Sequence, residues 1–308
     1  MVSELREDVV TGARVIVAPG RSTRPDTFRT AAAALPPSVP ACPFCEGNEH
    51  DTPPEVARCG PGEADTPGWR VRVVPNKYPI VGEGVAGVHE VVVLSPAHDR
   101  SFADLDVDAA IEVLVVVRER IARHLMAGYR HAHAFVNHGK PAGASIEHPH
   151  AQVIALDFVP PFVDRVLDRF AAAQRDLVHD AIDEARAGNC IVDDGDVVTW
   201  CPPASTVPYA MRCAMPFGRQ RFDSASDGEV RAVAVAVRGL LTRLRDVVGD
   251  APYNVVINTP PPDDARPFHW WIDVTPRLTV TAGFEDATGL HVCTVAPEAA
   301  AAALLEGA

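Results

Sequence analysis

An internal repeat is the feature that most constrains how this chain folds. The predicted order of strand, helix, strand and strand occurs twice along the 308 residues. Asn137 and Asn258 lie 121 positions apart at matching points of the two copies, and so do His148 and His269. Because a constant spacing of matching landmarks is the signature of duplicated units, the sequence predicts tandem copies of one α+β unit.

The periodicity of apolar residues places the elements of each copy. We expect a boundary near Ala187, which divides the chain into an N-terminal domain of residues 1–187 and a C-terminal domain of residues 188–308. Strands are predicted at 88–95, 132–137 and 150–156 in the first copy and at 209–215, 253–258 and 268–275 in the second, with helices at 104–127 and 227–248 and a linking helix at 160–187.

Composition narrows the class of protein. A chain that is 47% hydrophobic and of this length can bury a sizeable core. Its net charge of −13 argues against broad binding to nucleic acid, and its seven scattered cysteines do not resemble a disulfide framework. No apolar run approaches the roughly 20 residues of a membrane span, and the first residues are too charged for a signal peptide. We therefore expect a cytoplasmic protein without membrane association.

Two histidines and a glutamine stand at the head of an apolar run. On an extended strand His148, His150 and Gln152 would share one face, because successive side chains alternate between faces. Pro149 is tolerated only at the start or the edge of such a strand. The pattern indicates a metal site, a site with a nucleophile, or both.

Alignment of the two copies assigns this chemistry to the first. His150 falls on Trp271, and Gln152 falls on Asp273. The second copy therefore lacks the second histidine of the pair. We expect His269 to pack in the core of that copy, and we expect His131 of the first copy to be an exposed strand residue.

Cys42 and Cys45 form a C-x-x-C pair between loops rich in proline, glycine and alanine. In a reducing compartment such a pair is a redox dithiol, half of a zinc site, or two ordinary buried thiols. The surroundings do not resemble the strand-to-helix context of a thioredoxin, which favours zinc. Because zinc takes four ligands and the sequence has no second C-x-x-C, histidines must complete the site. The candidates are His98 and His148, although His98 alone is better explained as a loop or capping residue.

Motifs spread over nearly the whole chain resemble one family. They are TGARVIVAPGRSTRP at 11–25, CPFCEGN at 42–48, VVPNKYP at 73–79, HEVVVLSPAHD at 89–99, FVNHGKPAGASIEHPHAQVIAL at 135–156 and FHWWIDVTPRLTVTAGFE at 268–285. On these residues the chain resembles the galactose-1-phosphate uridylyltransferase family of the histidine-triad superfamily, which includes nucleoside-diphosphate-sugar phosphorylases. The resemblance implies tandem histidine-triad-like domains, each an antiparallel half-barrel sheet with a packed helix.

The resemblance also implies roles for individual residues. His150 would attack the α-phosphorus of a nucleotide sugar and carry the nucleotide covalently, and Gln152 would bind the phosphoryl oxygens. Zinc would be the cofactor, and a homodimer would complete the site. The implied zinc ligands are Cys42, Cys45, His98 and His148, the implied nucleotide and phosphate contacts are Arg21, Arg24, Asn76, Asn137, Gly143, Ala144, Ser145 and Gln152, and the implied sugar contacts are Phe284 and Glu285.

Elementary chemistry agrees with a histidine nucleophile. Imidazole has an ordinary pKa of about 6.5, so much of it is neutral at physiological pH without an activating base. Transfer of a phosphoryl-type group needs chiefly alignment and stabilisation of charge on the oxygens. Gln152, Ser145 and the backbone amides of residues 143–145 are candidates for that task. Glu285, considered without the family, is an ordinary surface acid.

Several functions are consistent with these motifs. The leading interpretation is a nucleotidyltransferase that moves a nucleoside monophosphate from a nucleotide sugar to a sugar 1-phosphate. The alternative is a nucleoside-diphosphate-sugar phosphorylase of the ADP-glucose type, which uses inorganic phosphate as acceptor. Residues 279–281 are Thr-Val-Thr where transferases carry basic residues, which weakens the case for a sugar phosphate. A metal-dependent phosphohydrolase is disfavoured by the scarcity of nearby carboxylates, and a non-catalytic nucleotide-binding protein is disfavoured by the intact His150 and Gln152.

Overall fold

The computed structural model describes residues 2–21, 39, 42–217 and 221–307. Most of the strands in these residues belong to a single sheet. Arg24 therefore lies outside the described residues. The strands are β1 (Glu4–Glu7), β2 (Arg14–Val17), β3 (Ala57–Cys59), β4 (Val71–Pro75), β5 (Gly87–Val93), β6 (His131–His138), β7 (His150–Leu156), β8 (Ile191–Asp194), β9 (Val198–Trp200), β10 (Met211–Ala214), β11 (Tyr253–Asn258), β12 (Trp271–Pro276) and β13 (His291–Cys293). The helices are α1 (Val107–Met126), α2 (Pro161–Ala173), α3 (Leu177–Ala187), α4 (Asp227–Val248), α5 (Gly283–Thr288) and α6 (Pro297–Glu306).

The order of strands in the large sheet shows the repeat. It runs β3-β4-β5-β7-β6-β11-β12-β10-β9-β8, and every neighbouring pair is antiparallel. The two halves have the same arrangement on either side of the β6–β11 pair. A smaller sheet, β1-β2-β13, joins the beginning of the chain to its end. The predicted α+β fold of tandem antiparallel sheets is confirmed.

Two long helices cover one face of the large sheet. Asp106 caps the start of α1 by accepting a hydrogen bond from the backbone N–H of Ala109, and Ser226 begins α4 with a capping box. Each helix turns an apolar stripe toward the sheet, so Val117 of α1 and Val237 of α4 are buried in one continuous core.

The opposite face differs between the halves. On the second half, α2 and α3 cover the strands and bury Trp200 and Trp271 in a separate apolar cluster. On the first half, the same face carries Gln152 and lines a cavity. This face of the sheet is thus covered by helices on the second half and accessible on the first half.

Two details differ from the sequence-based expectations. The predicted linking helix is two helices, because Gln174 adopts a left-handed conformation with φ of 54° and Asp176 then caps α3. His131, predicted to be exposed, is fully buried beside His133, whose ring centre lies 5.9 Å away. The sequence placed His131 on a strand but did not show that the fold covers it.

Within the described residues, no helix is both long enough and apolar enough to span a membrane. The domain boundary at residues 187 and 188 stays a prediction, since one sheet continues through both halves.

Candidate active site

Four of the predicted residues form one buried cluster. Cys42, Cys45, His98 and His148 each offer one ligand atom, and these atoms all lie within 4.8 Å of one another. The Cys45 Sγ atom is 3.5 Å from Nδ1 of His98 and 3.6 Å from Nδ1 of His148. A tetrahedral zinc ion with bonds of about 2.3 Å to sulfur and about 2.1 Å to nitrogen separates those atoms by about 3.6 Å. The cluster therefore fits a metal ion of this kind.

A hydrogen bond determines which ring nitrogen of His148 faces the cluster. Nε2 of His148 donates to the backbone carbonyl of Ser95 at 2.7 Å. The proton of the ring is therefore on Nε2, and the lone pair is on Nδ1, which faces the cysteines. Burial raises the pKa of the Cys42 thiol to about 11. A bound dication would oppose that shift, because thiolate is the form of cysteine that binds metal.

His150 points away from this cluster although it is only two residues from His148. His148 lies in a bend, and β7 begins at His150, after Pro149. Nδ1 of His150 donates to the backbone carbonyl of His148 at 2.8 Å, so Nε2 carries the lone pair. Burial lowers the pKa of His150, which favours the neutral ring. The side chain is therefore a neutral imidazole with a defined nucleophilic nitrogen.

A cavity of about 430 Å³ lies against His150 and Gln152. Its size is in the range of pockets that bind small molecules. Lys77 is the one cationic side chain among the described residues that line it. The lining residues are Pro43, Phe44, Asp51, Thr52, Pro53, Val74, Pro75, Asn76, Lys77, Tyr78, Ile80, His89, Val91, Phe135, Asn137, Gly143, Ser145, Ile146, His150 and Gln152.

The Gln152 amide is held with its oxygen away from an incoming ligand. The backbone N–H of Ile80 donates to Nδ1 of His89 at 3.3 Å, so the proton of that ring is on Nε2. This Nε2 donates to Oε1 of Gln152 at 2.7 Å. Among the described residues nothing accepts from the Gln152 NH₂ group, which is left to donate to a ligand.

Asn76 and Asn137 are held in the same sense. Oδ1 of Asn76 accepts a hydrogen bond from the backbone N–H of Tyr78 at 2.8 Å, and its Nδ2 lies 3.1 Å from Nε2 of His89. Oδ1 of Asn137 accepts from Nδ2 of Asn254 at 2.7 Å. Gln152 and Asn137 therefore have their oxygens engaged by the protein and their NH₂ groups left for a ligand, which suits the cavity to an anion.

The glycine loop before β7 approaches Asn137 closely. Gly143 has φ of 93°, and a Cβ atom there would lie 3.4 Å from Nδ2 of Asn137. The N–H groups of Gly143 and Ala144 donate to the carbonyls of Lys140 and Gly139 within the loop. Gly143 and Ser145 line the cavity, whereas Ala144 is not among the lining residues. The Ser145 hydroxyl is thus the loop's side-chain donor at the cavity.

Other predicted residues lie elsewhere in the chain. Arg21 and Glu285 line a second cavity of about 480 Å³, separate from the one at His150. Glu285 accepts a hydrogen bond from the backbone N–H of Ala282 at the start of α5, and Phe284 is half exposed. Within one chain these residues do not meet His150.

His89 and Asn254 are not among the residues that the sequence predicts for the site. His89 is a polar residue facing the same way as Val91 and Val93 in a strand of valines, and such a residue signals a buried hydrogen bond. Asn254 gave no comparable signal, because its partner Asn137 is 117 residues away in sequence.

Known proteins resemble this chain along its whole length. Residues 88–306 match a family described as a domain of unknown function, DUF4921. ADP-glucose phosphorylase of Arabidopsis thaliana is 30% identical over 329 aligned positions, which cover 98% of this chain and 92% of that protein. The crystal structure of an ADP-glucose phosphorylase from Arabidopsis thaliana with bound ADP-glucose has a TM-score of 0.87 at 28% identity, covering 99% of each chain.

Uridylyltransferases resemble the chain less closely. Galactose-1-phosphate uridylyltransferase of Streptomyces lividans is 28% identical over 202 residues, which cover 63% of this chain and 51% of that protein. A uridylyltransferase structure has a TM-score of 0.75 at 23% identity over 99% of this chain and 98% of that one, which shows a common fold. The chain belongs to the DUF4921 family and to the galactose-1-phosphate uridylyltransferase family of nucleotidyltransferases, which includes the nucleoside-diphosphate-sugar phosphorylases.

Proposed function

We propose that this protein is a nucleoside-diphosphate-sugar phosphorylase of the ADP-glucose type. It would move a nucleoside monophosphate from a nucleotide sugar to inorganic phosphate through a covalent intermediate on His150. The observation that carries the proposal is the neutral His150 ring, whose Nε2 lone pair is free at a cavity lined by amide donors. The similarity to ADP-glucose phosphorylase covers 92% of that protein, against 51% for the uridylyltransferase. This similarity favours inorganic phosphate over the sugar 1-phosphate that the leading interpretation of the sequence assumed, whereas the His150 ring is suited to either acceptor.

The first step forms a bond between Nε2 of His150 and the α-phosphorus. The bond from that phosphorus to the bridging oxygen breaks, and the sugar 1-phosphate leaves with the electron pair. The ring keeps its proton on Nδ1. The backbone carbonyl of His148 accepts a hydrogen bond from this N–H group and stabilises the positive charge that develops on the ring. The NH₂ group of Gln152 and the hydroxyl of Ser145 would stabilise the phosphoryl oxygens.

The second step reverses the chemistry on a new acceptor. An oxygen of inorganic phosphate forms a bond to the same phosphorus, and the bond to Nε2 breaks. The electron pair returns to the ring, and nucleoside diphosphate is released. Because one residue accepts and returns the nucleotide, the reaction follows ping-pong kinetics.

We propose zinc as the ion held by Cys42, Cys45, His98 and His148. Its chemistry there is that of a closed structural site with four protein ligands. It would anchor His148, whose carbonyl orients His150, and so hold the nucleophile in place. The phosphate contacts that the family implies for Arg21 and Arg24 stay predictions. The cytoplasmic location, the sugar contact of Phe284 and the homodimer through which Glu285 would reach a neighbouring site stay predictions as well.

The test is intact-protein mass spectrometry. Protein mixed with ADP-glucose or, separately, UDP-glucose and no acceptor should gain the mass of one AMP or UMP. His150→Ala should show no gain, whereas His179→Ala on the exposed side of α3 should behave as wild type.

The acceptor is decided by discharging the adduct. Inorganic phosphate should release it as nucleoside diphosphate, and galactose 1-phosphate should not. Discharge by the sugar phosphate alone would restore the uridylyltransferase interpretation. Failure of every sugar nucleotide to form an adduct would overturn the covalent mechanism.

A further inference from the structure

Asn254, in the second copy, is fully engaged by hydrogen bonds at the seam between the copies. It lies on β11 directly opposite Asn137 of β6 and is buried. Its Nδ2 donates to Oδ1 of Asn137 at 2.7 Å and to the backbone carbonyl of Ala142 at 2.9 Å. Its Oδ1 accepts from Nε of Arg277 at 2.5 Å.

These partners leave Asn254 with a single orientation. A backbone carbonyl such as that of Ala142 can only accept, and the guanidinium of Arg277 can only donate. Nδ2 of Asn254 must therefore face Ala142 and Asn137. Asn137 in turn must present its oxygen to Asn254 and direct its NH₂ group the other way.

The freed NH₂ group of Asn137 belongs to the cavity. A Cβ atom on Gly143 would lie 3.4 Å from Asn137 Nδ2, and both residues line the cavity together with Ser145 and His150. The second bond of Asn254, to Ala142, holds the same glycine loop from behind. One side chain of the second copy thus supports both the amide and the loop at the candidate phosphate site.

We propose that Asn254, held by Arg277, is a positioning residue for nucleotidyl transfer, which orients the Asn137 amide as a donor to the phosphates of the nucleotide. The inference rests on the proposed function of the His150 site. It gives the second copy a part in catalysis although that copy has no nucleophile of its own.

Asn254→Asp is the informative variant because it keeps the shape of the side chain. An aspartate still accepts from Arg277 but can donate neither to Asn137 nor to the backbone carbonyl of Ala142. Asn137 then gains by turning its NH₂ group toward the new carboxylate, which places its oxygen at the cavity, where it repels phosphate. We expect the rate of adduct formation from ADP-glucose to fall by at least about tenfold, since loss of a single aligned donor costs that much or more.

Thermal unfolding of each variant and a charge-matched control accompany the measurement. Asn189→Asp makes the same change at an exposed turn between α3 and β8 and should keep the wild-type rate. Asn137→Ala should itself slow adduct formation. If Asn254 acts through Asn137, adding Asn254→Asp to Asn137→Ala should cause little further loss.

The double variant separates positioning from a structural role. An equal fold-loss from Asn254→Asp with and without Asn137 would overturn the proposal, because the effect would then bypass the amide. A wild-type rate in Asn254→Asp would overturn it as well. Failure of the wild-type protein itself to form an adduct would instead refute the proposed function, so the two failures are distinguishable.

Discussion

The two copies differ at the start of matching strands, β7 and β12, in how many of the polar side chains have hydrogen-bond partners within the protein. His148, His150 and Gln152 enter β7, and His269, Trp271 and Asp273 enter β12 at the equivalent positions. In the first copy, Nε2 of His150 and the NH₂ group of Gln152 have no hydrogen-bond partner among the described residues. They are therefore available to a ligand.

In the second copy the equivalent edge is closed. Asp273 takes the place of Gln152 and accepts hydrogen bonds of 2.8 Å each from Arg212, Asn258 and Trp271. Arg212 also bonds Asp8 at 3.2 Å and lies over the Trp271 ring. Helices α2 and α3 then cover this face. Buried donors with protein partners build a scaffold, whereas donors without them build a binding site.

The histidines before each strand extend the contrast. Nδ1 of His148 faces the cysteines of the metal cluster, and Nδ1 of its counterpart His269 donates to Asp176 at 2.7 Å. In the first copy this nitrogen belongs to a cluster that could hold a metal ion, and in the second it is engaged by a carboxylate of the chain itself.

The largest expected effect tests the metal side of this contrast. Cys45→Ser should lose bound zinc and unfold at a lower temperature, because an ion at a thousand times its Kd adds about 4 kcal/mol to the free energy of unfolding. Elemental analysis and thermal unfolding measure the two quantities. Cys59→Ser, outside the cluster and half-buried, is the matched control. Zinc-free wild-type protein that unfolds at the same temperature as the zinc-loaded form would contradict this expectation.

A smaller loss of stability should follow from breaking the ion-pair network at the closed edge of the second copy. Asp273→Asn removes one of the two carboxylates that pair with the buried Arg212, which should lower the free energy of unfolding by about 3 kcal/mol in chemical denaturation. The protein that remains folded should still form the nucleotide adduct. Asp194→Asn, the matched control, breaks an exposed ion pair with Arg186 and should leave the free energy of unfolding unchanged. Equal stability of the two variants would show that the Asp273 network is not a scaffold.

The smallest effect concerns the orientation of Gln152. His89→Phe keeps a ring but removes the donor to Gln152, so the amide can turn its oxygen toward phosphate. We expect single-turnover adduct formation to slow by about tenfold to a hundredfold, with little change in thermal unfolding. His133→Phe is the matched control, because His133 and His89 lie on opposite sides of Ile154 in the sheet and His133 has no described contact with Gln152. Equal rates in both variants would count against the role of His89.

Much of the first copy's chemistry could be predicted from short-range patterns. The spacing of the helix from Asp227 to Val248 and of the strand from His150 to Leu156 agrees with the structure residue for residue, since apolar periodicity is a local property. Pro149 predicted a strand start or edge, and the structure has a strand start there, which separates the direction of His148 from that of His150. The linking helix was predicted as continuous because the αL residue Gln174 has no strong signature in sequence.

What the sequence by itself determined is the duplicated α+β unit, the order of its elements and the residue types of the C-x-x-C and H-P-H-x-Q motifs. What only the tertiary structure decided is which polar atoms meet. The pairing of β6 with β11 brings Asn254 to Asn137, and the pairing of β5 with β7 brings His89 to Gln152. Amide orientation depends on such contacts between residues far apart in the chain, and a hydrogen bond acts over about 3 Å of space whatever the separation in sequence.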